Sequence, residues 1–120
     1  MKIKKAFQLT YVLTVLVLFS INNLYASPGE IQHKKTIIVN LNSMQCNMCV
    51  EKITKAINTV EGVSKVKINL DKKTATVTFN SDKTNKEEIE NAITSAGYDA
   101  NDKLADPNAY EKLSSCCKKQ

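Results

Sequence analysis

The sequence predicts an α+β sandwich. Three observations predict it: short runs that alternate apolar and polar residues, two longer runs with apolar residues at helical spacing, and their order along the chain, strand, helix, strand, strand, helix, strand. Helices with one apolar stripe and strands with one apolar face must bury those surfaces against each other. Two helices laid on one face of a four-stranded antiparallel sheet do so, which is the ferredoxin-like βαββαβ sandwich, here followed by a short C-terminal helix and tail.

The first strand starts at Thr36, with Ile37, Val39 and Leu41 on one face and Thr36, Ile38 and Asn40 on the other. Asn42-Ser43 turns the chain into Met44-Gln45-Cys46-Asn47-Met48-Cys49, with Asn47 a plausible N-cap. Val50, Ile53, Ala56, Ile57 and Val60 follow at helical spacing, opposite Glu51, Lys52, Lys55 and Asn58. Glu61-Gly62 stops this helix, glycine suiting the left-handed C′ position. Val66, Ile68 and Leu70 then alternate with lysines and asparagine, and Ala75, Val77 and Phe79 alternate with threonines. The Asp71-Lys72-Lys73 interruption between these runs reads as a β-hairpin turn.

Thr84 with Glu87, and Asn85 with Glu88, are overlapping capping boxes ahead of Ile89, Ala92, Ile93 and Ala96, and Gly97 ends that helix. Tyr98 to Leu104 is the fourth strand, weakened by Asp99, Asn101 and Asp102. Asp106 as N-cap and Pro107 at the first helical position start a short helix to Leu113, which leads into Ser114-Ser115-Cys116-Cys117-Lys118-Lys119-Gln120.

Ahead of the domain, Met1-Lys2-Ile3-Lys4-Lys5 is basic, Tyr11 to Ile21 is almost unbroken apolar, and Leu24-Tyr25-Ala26 offers a small residue at a cut. This pattern reads as a secretory signal peptide cleaved after Ala26, and it predicts a periplasmic or secreted protein. The apolar run falls short of the roughly 20 residues a membrane-spanning helix needs. The organisation expected is therefore residues 1–26 signal peptide, 27–35 mobile lead-in, 36–104 folded domain, and 105–120 C-terminal helix and Cys-Cys tail. Removing three lysines and no acids from 17 basic and 12 acidic residues leaves a mature balance of +2. With its lysines interspersed among acids and an export signal ahead, the chain is not expected to bind nucleic acid. A mature chain of about 94 residues buries a modest core without disulfide staples, which frees four cysteines for other work.

Cys46 and Cys49 are spaced Cys-x-x-Cys at a strand-to-helix junction, a placement that serves a metal clamp or a redox pair. A helix N-terminus carries partial positive charge and unpaired N–H groups, so a cysteine there is pushed toward thiolate, the form that binds soft metal ions. A structural disulfide is the plain alternative. Tetrahedral zinc asks for four ligands, and only two are local.

Strand-Met44-x-Cys46-x-x-Cys49-helix within a βαββαβ order resembles the heavy-metal-associated domain family of small copper chaperones, P-type ATPase metal-binding domains and exported mercury-binding proteins. The resemblance spans roughly residues 34–104. Val60-Glu61-Gly62-Val63-Ser64-Lys65-Val66, Ala75-Thr76-Val77-Thr78-Phe79 and Ala96-Gly97-Tyr98 are most like the mercury-binding branch. Ser43 stands where the family has glycine, Gln45 where it has threonine or aspartate, and the segment from Asp106 to Gln120 has no counterpart in the compact members.

The resemblance implies that Cys46 and Cys49 are paired thiolate ligands for Hg(II) or Cu(I), with no prosthetic group and no enzymatic activity. It implies a monomer, not membrane-embedded once the signal is cleaved, that hands its ion to a membrane metal transporter or P-type ATPase. Met44 packs in the core in such domains, Met48 is more exposed, and Tyr98 lies beside the metal loop. His33 is expected in solvent. Lys34, Lys35, Lys65, Lys67, Lys72 and Lys73 form either a solvated face or a steering surface for an acidic partner.

Cys116 and Cys117 are candidate auxiliary ligands. A final strand carries the chain about 15–20 Å from the metal loop, a helix of about eight residues returns about 12 Å, and extended residues add about 3.3 Å each. The alternative function is a thiol-disulfide oxidoreductase using Cys46 and Cys49. Against it, the chain has no Trp before the motif, and Pro28 and Pro107 both lie outside the core domain.

Overall fold

In the computed structural model, residues 11–15, 29 and 31–119 are described. Residues 11–15, inside the expected signal peptide, are helical; the cleavage site lies outside the described residues. No helix among the described residues is long and apolar enough to cross a membrane. Residues 1–31 and Gln32–Gln120 are separate units, and the second carries the fold.

That fold runs β1 (Lys34–Asn40), α1 (Asn47–Asn58), β2 (Val63–Asn69), β3 (Thr74–Asn80), α2 (Lys86–Ser95) and α3 (Pro107–Glu111), then a 3-10 turn at Ser115–Cys117. β1 starts two residues earlier than the alternation from Thr36 indicates. The strands form an antiparallel sheet in the order β1-β3-β2. Its register stacks the apolar faces in rows across β3: Ile37 opposite Val77 and Val66, and Val39 opposite Ala75 and Ile68. α1 and α2 contribute buried Ile53 and Ile57, and Ile89 and Ile93, to the same core, which also takes Leu41, Met44 and Phe79.

The expected fourth strand at Tyr98–Leu104 is not formed; the sheet has three strands among the described residues. Asn101 adopts a left-handed backbone (φ 53°), and Ala100 pairs with Lys103 across the resulting tight turn. The chain therefore doubles back where a strand would extend. It still touches the β1 edge at one point: the Asn101 N–H donates to the Asn40 carbonyl (2.9 Å), and the Asn40 N–H donates to Asn101 Oδ1 (2.8 Å). Two hydrogen bonds stand in for a ladder.

Helix ends also refine the expectations. α1 begins one residue earlier than an Asn47 cap would give: Cys46 is its N-cap, in extended backbone, and Asn47 is already helical. α1 ends at Asn58 with Thr59 as C-cap, so Gly62 is not at C′; its positive φ (96°) serves the turn into β2. Asn85 caps α2 by accepting from the Glu88 N–H (3.0 Å), while Thr84 donates to the Glu88 carboxylate (2.7 Å). Gly97 is at C′ (φ 98°), and the Tyr98 N–H to Ile93 carbonyl and Gly97 N–H to Thr94 carbonyl bonds close a Schellman motif. Asp106 caps α3 by accepting from the Ala109 N–H (3.0 Å), with Pro107 first in the helix.

Candidate functional site: a four-cysteine cluster

The Cys-x-x-Cys loop is fixed from below. Met44 is fully buried, and Ser43, only 2% exposed, accepts a hydrogen bond from the Asp99 N–H at 2.8 Å. The hydroxyl that replaces glycine thus ties the loop to the segment after α2. Cys46 then sits at the N-terminus of α1, partly exposed, and Cys49 one turn inside it, fully buried. Their sulfurs are 3.4 Å apart.

The tail closes over this pair. Cys117 Sγ lies 2.7 Å from Cys49 Sγ and 3.9 Å from Cys46 Sγ; Cys116 Sγ lies 3.5 Å from Cys46 Sγ and 3.9 Å from Cys117 Sγ. All four thiols are free. Cys117 is fully buried, Cys116 is exposed, and the exposed Met48 brings its thioether to 4.0 Å from Cys116 Sγ. Cys46, Cys116 and Cys117 form a group whose sulfurs all lie within 4.8 Å of one another.

The tail is held there by contacts far from the cysteines in sequence. The Tyr110 hydroxyl accepts from the Lys119 N–H (2.9 Å), Lys119 Nζ pairs with Asp99 Oδ2 (3.2 Å), and Lys118 Nζ pairs with Glu111 Oε2 (3.2 Å). Asp99 Oδ1 also accepts from the Ala105 N–H (2.9 Å). A Cβ on Gly97 would stand 3.0 Å from the Ala109 carbonyl group, so glycine is what lets α3 lie this close. Sequence reasoning missed Ser43, Asp99, Tyr110 and Lys119 as positioning residues. No local pattern marks them, because each acts through a partner distant in the chain.

The four thiols are not chemically alike. The Cys49 amide, then the Cys49 and Cys116 thiols, stabilise the Cys46 thiolate and push its pKa down to about 7. Burial, then the adjacent Cys49 sulfur, push Cys117 up to about 12. Cys116 is raised, chiefly by Cys46. Tyr98 is fully buried beside the cluster, and burial followed by the neighbouring Cys117 and Cys49 sulfurs raise its pKa, keeping it neutral. Its hydroxyl faces the Cys117 and Cys49 sulfurs and has no other hydrogen-bond partner among the described residues. His33, expected in solvent, is exposed and pairs with exposed Asp82 (3.1 Å).

Among known proteins, the mercuric transport protein periplasmic component of Shewanella putrefaciens is 35% identical over 86 residues, covering 72% of this chain and 87% of that one. The crystal structure of oxidized MerP from Ralstonia metallidurans CH34 superposes with a TM-score of 0.55 at 36% identity, over 56% of this chain and 93% of that chain. The CopZ metallochaperone superposes with a TM-score of 0.54 at 27% identity, over 55% and 98%. The heavy-metal-associated domain profile matches residues 38–99, from β1 through the Cys-x-x-Cys loop to Asp99, and the chain belongs to that family.

Proposed function

We propose that this chain is an exported, non-enzymatic protein that captures a soft metal ion, Hg(II) first and Cu(I) second, between Cys46 and Cys49. It then passes the ion to a membrane transporter, a P-type ATPase or another thiol protein. The observation that carries the reading is the pairing of a partly exposed Cys46 thiol, acidified to about 7, with a Cys49 thiol 3.4 Å away at the start of α1. Soft ions favour thiolates, and Cys46 supplies one near neutral pH. Relatives named as periplasmic components of mercuric transport support mercury, and export through residues 1–26, ahead of the alternatives.

In this reading Cys46 meets the ion before Cys49 because it is both partly exposed and acidic. Cys49 follows, giving up its proton to solvent as its sulfur binds. An incoming thiolate of the recipient adds to the ion, and Cys46, at the exposed side, leaves first. Native mass spectrometry of the reduced protein with Hg(II), Cu(I) and Zn(II) under a competing thiol tests this. One soft ion should be retained, and in a chain without the tail cysteines it should be lost when Cys46 and Cys49 are both changed to serine. No retained ion, together with a readily cycled Cys46–Cys49 disulfide, moves the assignment to thiol-disulfide exchange.

A further inference from the structure

We propose that Cys116 and Cys117 are direct metal ligands, completing with Cys46 and Cys49 a polythiolate site for a d10 ion that takes three or four sulfurs. The inference rests on the loop pair being a metal site and adds the tail to it.

Sulfur spacing is the first argument. Two sulfurs bound on opposite sides of one ion at about 2.3 Å must stand about 4.6 Å apart, whereas a tetrahedron with the same bond has edges of about 3.8 Å. Cys46 to Cys49 is 3.4 Å, Cys46 to Cys116 3.5 Å, and Cys117 lies 3.9 Å from both Cys46 and Cys116. These four distances cluster around the tetrahedral edge and fall well short of the linear span. The Cys49–Cys117 separation, 2.7 Å, must open for an ion to enter between them, and Cys49 must be drawn toward the Cys46–Cys116–Cys117 group, whose sulfurs alone all lie within 4.8 Å of one another.

The second argument is that the tail is built to be there. Leu113 is buried with 8% exposure, Lys119 is pinned at its backbone and at its side chain, and Gly97 opens the space that α3 occupies. A solvated terminal segment needs none of these. The third argument is the buried Tyr98 hydroxyl, which faces the Cys117 and Cys49 sulfurs and has no other hydrogen-bond partner among the described residues. Buried polar groups in folded proteins are nearly always paired, and a metal-bound thiolate accepts from an O–H better than a thiol does. As each metal–sulfur bond forms, the ligating thiol releases its proton to solvent, and Tyr98 gains a stronger acceptor.

Cd(II) is the probe, because its sulfur-to-metal ultraviolet absorbance scales with the number of bound thiolates. The reduced full chain should bind one Cd(II) with the absorbance of three or four thiolates. Cys116→Ser, at an exposed position that leaves the core untouched, should lower that absorbance by one thiolate's share. The Cys116→Ser/Cys117→Ala pair should drop it to two. Loss of outer-shell contacts alone costs about 10–100-fold in metal affinity, so losing two direct ligands should weaken Cd(II) at least about 100-fold.

The same pair should still retain Hg(II) under a competing thiol, because Cys46 and Cys49 remain. Unchanged Cd(II) absorbance and affinity in both Cys116→Ser and the pair would overturn the proposal. Failure of the Cys116→Ser/Cys117→Ala chain, in which only the loop thiols remain, to retain Hg(II) would overturn the loop assignment instead, so the two failures are separable.

Discussion

The Cys-x-x-Cys loop and the C-terminal tail each present two cysteines to the same point, and they do it by opposite means. The loop thiols are set by the core: Met44 and Cys49 are fully buried, and Cys46 takes its acidity from the first turn of α1. The tail thiols arrive on five residues of helix and a single 3-10 turn, kept in place by Tyr110, Asp99 and a lysine ion pair. One pair is a product of folding, the other of docking. The contrast teaches that cysteine chemistry follows the backbone that delivers the sulfur: identical side chains a few ångströms apart are tuned to about 7 and about 12.

The sharpest way to break this contrast is chemical. At pH 7.5 Cys46 is mostly thiolate and Cys117 almost wholly thiol. The weaker nucleophilicity of an acidic thiolate offsets part of that difference, leaving Cys46 about 100-fold faster toward iodoacetamide. Mass-spectrometric peptide mapping over time checks this, and equal rates would show that the two environments do not differ.

The same two thiols shape stability against pH. The Cys46 pKa is depressed from 9.0 to about 7, so its contribution is complete above pH 9 and lost as pH falls through 7. Cys117 is raised from 9.0 to about 12, so its contribution is complete below pH 9 and lost as pH rises toward 12. From these groups alone, urea midpoints should peak near pH 9 and decline on both sides.

Substitutions separate folding from docking. Ile53→Ala removes a fully buried side chain beneath the loop and should cost about 3 kcal/mol in urea unfolding, lowering the whole domain. Gly97→Ala places a side chain at φ 98° against the Ala109 carbonyl and should cost about 2 kcal/mol. Its larger signature is local: Cys117 should become reactive while the Cys46 rate holds. Ser43→Gly deprives the Asp99 N–H of its acceptor and should cost about 1 kcal/mol by the same unfolding assay. Lys119→Ala breaks one partly exposed ion pair and should cost under about 1 kcal/mol, seen mainly as faster proteolysis of the tail.

Much of this architecture is legible in the chain. The alternation Ala75-Val77-Phe79 and the spacing of Ile53 and Ile57 describe burial that follows directly from periodicity, and Cys46 and Cys49 fall where a strand meets a helix. The fourth strand misled because Asn101 turns the chain, and a residue tolerant of left-handed backbone looks in sequence like a mere weakness in a strand. The end of α1 was misplaced because Gly62 is a strong stop signal, while the actual stop is Thr59, whose N–H bonds to Lys55 and Ala56 carbonyls tighten the last turn. Tail docking was legible only as reach. Its contacts join Lys119 to Asp99 and Gly97 to Ala109, pairs that no periodicity connects.

Cys46 and Cys117 are 71 residues apart along the chain and 3.9 Å apart in space. A bridge between them, whether an ion or a covalent bond, would close a loop containing nearly the whole domain. Polymer statistics put the entropy such a loop removes from the unfolded chain at about 4 kcal/mol, comparable to the net stability of many domains this size. Occupancy of the sulfur cluster would therefore be felt throughout the molecule, as resistance to unfolding and to proteolysis. A loaded chain would be a physically tougher object than an empty one, and the last few residues would decide which of the two it is.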